Sequence, residues 1–117
     1  QTIAARGGAW VPTLLGAEAI VSFLGADSTG GPMLTGGIAN VRDLLPDAER
    51  LGVTVLTGTD LAVPHGQVAR EAIRLHELGL SMEATLRAVT TAAFDYLGVP
   101  HGFFPGLSAD AVFFADD

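Results

Sequence analysis

The run Val53-Thr54-Val55-Leu56 is short, apolar and β-branched, and it leads directly into Thr57-Gly58-Thr59-Asp60. Such a run suits a strand covered on both faces, as in a parallel sheet. Gly58 permits a tight bend, so Thr59 and Asp60 emerge at the strand's carboxyl end. In α/β proteins that end is where ligands bind. An acid there is a candidate metal ligand or proton acceptor. The plainer alternative is a turn residue or the N-cap of a following helix. Taken alone, Gly-Thr-Asp is a weak signal.

A chain of 117 residues has room for one domain with a core. It is 49% hydrophobic and only 16% charged, with a mean hydropathy of +0.42. A self-contained domain of this size needs more polar surface, so some apolar surface is expected to lie against polypeptide beyond these residues. The net charge of −7, with six scattered Arg and Lys positions, argues against nucleic acid. Cysteine is absent, which excludes a disulfide framework and a thiolate metal site and fits a cytoplasmic protein. The most apolar region, Leu14 to Leu24, is broken by Gly16, Glu18 and Ser22 and is too short to span a membrane. The chain starts at Gln1, with neither an initiator Met nor a basic-then-apolar leader, as though cut from something longer.

Along the chain, Ala9 to Leu14 reads as a strand that ends near Pro12, and Leu15 to Leu24 as a helix. Gly25 to Gly37 reads as a glycine-rich connection or a lid, without the lysine of a phosphate-binding loop. Asn40 is a plausible N-cap with Asp43 in the first turn; Pro46 breaks or restarts that helix and Gly52 ends it. Gly66 to Leu78 is the clearest helix. Val68, Ala69, Ala72, Ile73 and Leu75 form its apolar side, with Gln67, Arg70, Glu71, Arg74 and Glu77 opposite. Gly79 stops it. Ser81 caps the next helix, with Glu83 near its positive end, but Ala84 stands where a full capping box wants Glu. A third helix runs from about Thr91 to Leu97 and stops at Gly98 before Pro100. Ala109 to Phe114 reads as a last strand. No internal repeat is visible. So few parallel strands cannot bury themselves, which points to part of a larger sheet or barrel.

The ordered series Gly58-Thr59-Asp60, His65-Gly66, Glu71, Gly79-Leu80-Ser81, Glu83-Ala84, Ala88 to Ala93, Leu97-Gly98, Gly102, Pro105-Gly106 and Ala109-Asp110 resembles the C-terminal part of metal-dependent amidohydrolases, in particular the imidazolonepropionase-like and Xaa-Pro dipeptidase-like group. Val11-Pro12-Thr13-Leu14 is similar to that group's seventh barrel strand. The resemblance implies an α/β fold: the C-terminal portion of a (β/α)₈ barrel over residues 1–100, with residues 101–117 returning to a small β-sandwich. Ala9–Leu14 would be strand 7 and Val53–Thr57 strand 8. It implies that Asp60 binds a divalent metal, most simply zinc as one or two ions, and serves as catalytic base toward the attacking water. The substrate would be a small amide, cyclic amide or dipeptide, and the remainder of the barrel would be the partner. A homo-oligomer is compatible with the sequence. The family's His-x-His pair, its strand-4 lysine or acid and its later histidines have no counterpart here, and the stretch Phe103-Phe104-Pro105 is slightly short. An isolated chain is therefore expected to be inactive, since three protein ligands are the usual minimum for catalytic zinc. The rival expectation is a non-catalytic module that completes a partner's barrel.

His65 lies where a loop would line the pocket mouth; it contacts substrate, supports the metal's surroundings or only starts the helix. His76 reads as structural and His101 as a surface turn residue. Glu71 matches a family acid but reads chiefly as part of a solvated face, in a weak surface pair with Arg74. Trp10, Phe23 and Phe94 read as core, and Asp110 as a turn residue between barrel and sandwich.

Overall fold

The computed structural model describes residues 2–60 and 63–113. In chain order these form α1 (Thr2–Ala5), β1 (Ala9–Trp10), α2 (Leu14–Leu24), α3 (Gly31–Arg50), β2 (Thr54–Val55), α4 (Val68–Glu77), α5 (Met82–Val89) and α6 (Ala92–Leu97). The two strands are parallel, with Ala9 opposite Thr54 and Trp10 opposite Val55, and the Leu56 N–H donates to the Trp10 carbonyl at 2.9 Å. Each strand is only two residues long. Pro12 has no N–H to extend the ladder. Thr13 then turns left-handed at φ 50, so Leu14, expected to end a strand, instead begins α2.

The expected C-terminal barrel portion with a returning β-sandwich strand is overturned. The described residues are mostly helical and carry a single two-stranded sheet. A barrel needs every strand paired on both sides at a common tilt; two strands of two residues each give one pairing. The stretch expected as the last strand has no regular structure over 109–113, and Phe114 lies outside the described residues. Val112 and Phe113 are largely exposed there, without a strand to pair against, and Asp110 is likewise exposed rather than holding a junction.

The region between α2 and β2 also departs from expectation. The glycine-rich stretch becomes helical from Gly31, and α3 runs to Arg50 through Asn40 and Pro46 without a break. Pro32 sits in its first turn, where the fixed φ of proline suits a helix start. Gly31 is buried under the preceding turn: a Cβ there would lie 2.1 Å from the Ala26 carbonyl oxygen. Ile38, Val41 and Leu45 continue a helical stripe, with Leu45 in the core and the other two packed against it. Burial of that stripe outweighs the single backbone bond that Pro46 forgoes. The Pro46 ring approaches Gly79, where an added Cβ would stand 3.1 Å from its Cγ.

Between α3 and α6 the expected helix stops and the expected cap are observed. Gly52 (φ 73) follows α3, Gly79 (φ 109) follows α4 and Gly98 (φ 65) ends α6. Ser81 accepts the Ala84 N–H at 3.1 Å as N-cap of α5. The place left open by Ala84 is filled from α3. Glu49 accepts the Ser81 N–H at 3.0 Å and its hydroxyl at 2.5 Å, and these bonds hold the Glu49 carboxyl below its ordinary range. Leu14, Leu45, Val55, Leu75, Leu78, Leu80 and Ala88 make the core, with Trp10 packed against it. Phe94 is half-buried, its ring 5.4 Å from that of His101. Phe23, expected inside, is 89% exposed near the end of α2, whose buried residues, Leu14 and Gly16, both lie in its first turn. Among the described residues no helix is long and apolar enough to cross a membrane.

Candidate functional site

The site starts where the two strands end side by side. Beyond β2, Thr57 is gripped by the carbonyl of Ala88 in α5, which accepts its N–H at 3.3 Å and its hydroxyl at 3.1 Å. Gly58 then passes so close to the end of β1 that a Cβ would stand 2.5 Å from Val11 Cγ1 and 3.2 Å from Thr13 Cγ2. Only glycine fits. Asp60 follows in a left-handed turn at φ 46, exposed at the carboxyl end of β2. It caps no helix, since α4 starts only at Val68 with Gln67 as its N-cap. No ion pair among the described residues involves it. His65 is exposed in the turn between Pro64 and Gly66.

Glu71 is where the sequence reading fails most usefully. It is fully buried rather than part of a solvated face. Its Oε1 accepts the Leu14 N–H and its Oε2 the Leu15 N–H, each at 2.8 Å. These are donors at the start of α2 that no residue of that helix can satisfy. Thr13, the N-cap by position, offers no side-chain bond. A carboxylate from α4 therefore caps α2 across the fold. Burial pushes the Glu71 carboxyl upward; the Leu15 and Leu14 N–H groups pull it back, and the charges of Glu18 and Asp60 push it up further. Arg74, expected beside Glu71, pairs with Glu18 at 2.8 Å and Glu77 at 2.9 Å, and both bonds raise its already high pKa. A signal for Glu71 did exist: it heads the buried stripe Glu71, Leu75 and Leu78, at helical spacing. An acid in such a stripe requires donors from elsewhere.

The histidines do not converge. The His76 ring bonds through Nδ1 to the Leu80 carbonyl at 2.8 Å, just past the end of α4. His101 Nε2 lies 2.9 Å from Asp95 Oδ1, and Arg87 holds the other carboxyl oxygen at 3.1 Å. These contacts, His101 first, keep the Asp95 carboxyl below its ordinary range. Among the described residues no three His, Cys, Asp or Glu side chains could together hold a metal ion, so the expected metal-binding cluster is not formed within them. Asp60 itself suits one position in such a set: it is a hard oxygen donor of the kind that binds zinc, exposed beyond a strand end and in no ion pair among the described residues. Two depressions of about 400 and 440 Å³ lie elsewhere, one along β2 between Glu49 and Arg87, the other between α2 and α3. Neither is lined by Asp60, His65 or Glu71.

No protein-family profile matches the chain. It is similar to uncharacterized proteins of Mycobacterium bovis and Mycobacterium tuberculosis, each 33% identical over 121 aligned positions that cover 96% of this chain. The chain spans 31% of the length of these curated relatives.

Proposed function

We propose that this chain supplies the acid-bearing segment of a metal-dependent hydrolase of carbon–nitrogen bonds in amides, cyclic amides or dipeptides. The observation that carries the reading is the placement of Asp60. A carboxylate that makes no ion pair among the described residues stands beyond the carboxyl end of a parallel strand, two residues after Gly58, which packs close to Val11. The ordered motif series from Gly58 to Asp110 supports the same reading. One carboxylate does not hold catalytic zinc, so the other ligands belong to polypeptide beyond these residues; the relatives' greater length is compatible with that.

A divalent cation, zinc first and as one or two ions, would lower the pKa of bound water from about 16 toward about 7. The Asp60 carboxylate accepts the proton released by the attacking water and delivers it to the leaving nitrogen. His65, exposed in the turn after Pro64, would contact the substrate. The substrate is a small amide or peptide and the setting is cytoplasmic, in keeping with the absence of cysteine.

A second reading, a non-catalytic module that completes a partner, is favoured by the lack of a converging ligand set among the described residues. Metal analysis of the complete protein separates the two. The enzyme reading expects stoichiometric zinc that is lost in Asp60→Asn together with amide hydrolysis. Metal-free protein whose partner binding survives the same substitution would support the module instead.

A further inference from the structure

Thr13 and Asp60 are the two non-glycine residues with positive φ among those described, and they stand at the ends of adjacent strands. A short physical chain links them. Glu71 holds the Leu14 and Leu15 N–H groups, which fixes the turn at Thr13. Thr13 and Val11 bear on Gly58. Gly58 lies two residues before Asp60. The strands are too short to fix these ends by themselves, since each contributes only two residues to the ladder. From the far side, the Ala88 carbonyl grips Thr57. The segment leading to Asp60 is thus clamped between α5 and the Thr13 turn.

The choice of cap is informative. Thr13 is a residue type that caps its own helix well, yet its left-handed backbone leaves the task to Glu71, distant in sequence. Glu71 is fully buried and pairs with no cation among the described residues, Arg74 being taken up by Glu18 and Glu77. Both of its oxygens are spent on the start of α2. We infer that Glu71 is a positioning residue for Asp60: by locking the Thr13 turn against Gly58 it sets where the Asp60 carboxylate stands. The inference rests on the reading of Asp60 as a metal ligand.

The test uses the complete protein loaded with cobalt(II), whose visible absorption reports ligand geometry independently of activity. Glu71→Gln keeps the size of the side chain but offers an acceptor to only one of the two N–H groups. It is expected to shift the cobalt spectrum and weaken cobalt affinity about 10- to 100-fold, the usual effect of losing a group that orients a metal ligand. A merely structural role would lower the melting temperature and leave spectrum and affinity as in the wild type; that result overturns the inference. Asp60→Asn is measured alongside. If it removes the cobalt site, the underlying reading stands and Glu71→Gln decides the inference. If it leaves the site intact, the metal reading fails, and the inference with it. Should Glu71→Gln not fold, Gly58→Ala presses on the same contact from the other side, and an unchanged cobalt spectrum there refutes the link.

Discussion

Truncating Glu71 measures how much of the stability of α2 is supplied from α4. In Glu71→Ala the Leu14 and Leu15 N–H groups lose their acceptors. Leu14 is buried and Leu15 half-buried, so water reaches the first poorly. A buried donor left unpaired costs about 1–3 kcal/mol, so two give about 2–6 kcal/mol. Relief works against this, because burial already penalises the ionised carboxyl, as its raised pKa indicates. The expected net loss is about 3 kcal/mol for Ala and about 1–2 kcal/mol for Gln, whose carbonyl still serves one N–H. Urea unfolding at pH 7 reads this directly. The protein's one tryptophan, Trp10, packs against the core at the end of β1 and reports the transition by fluorescence. The slope m should be unchanged and the midpoint lowered. A Glu71→Ala protein within about 0.5 kcal/mol of wild type, the range of an ordinary surface substitution, would refute the reasoning. It would mean that solvent caps α2 and that Glu71 fixes nothing.

Glu49→Ala removes the acceptor that α3 lends to Ser81 and should cost about 1 kcal/mol, the usual worth of a helix cap. Combined with Ser81→Ala it should cost less than the sum of the single changes, since both remove the hydroxyl bond between the two side chains, and additive losses in urea melts would show the two residues to be independent. The pH dependence carries opposite signs at different acids. Glu71 has a folded pKa raised above 4.5, so the proton-linked part of its contribution is present below that value and is lost as pH rises through the folded pKa, while the two N–H bonds supply the part measured at pH 7. Glu49 and Asp95 are lowered from 4.5 and 3.8, so their contributions are present above those values and disappear as pH falls through the folded pKa. Wild type minus Glu71→Gln should therefore show stability falling as pH rises above 4.5, and a difference flat across pH 4–8 would contradict the assignment.

Local signals were legible where a residue acts on its own neighbours. Gly79 and Gly98 stop helices because left-handed backbone at those points suits glycine, and Ser81 reaches an N–H three residues on. Gly58-Thr59-Asp60 does follow a strand, although what crowds Gly58 is Val11 and Thr13 from the other strand end rather than a local bend. Pro46 and the glycines before it misled, because the cost of proline is local whereas the gain from burying Ile38, Val41 and Leu45 on one face is collective. Phe23 misled in the opposite sense: its apolar character says nothing about how far along α2 the core extends. The barrel expectation failed at the same level. It joined correct local elements through a pattern of partners, while the structure provides one pairing of two-residue strands.

By itself the sequence determined where the two strands lie, the helix stops, the cap at Ser81 and an acid just past the second strand, since each depends on backbone freedom or hydrogen-bond reach within a few residues. Tertiary structure alone decided that Glu71 caps α2, that Glu49 completes the cap of α5 and that Val11 and Thr13 press on Gly58. Those contacts join residues far apart along the chain, where the partner of a buried polar group is chosen by which unsatisfied donors packing brings near it.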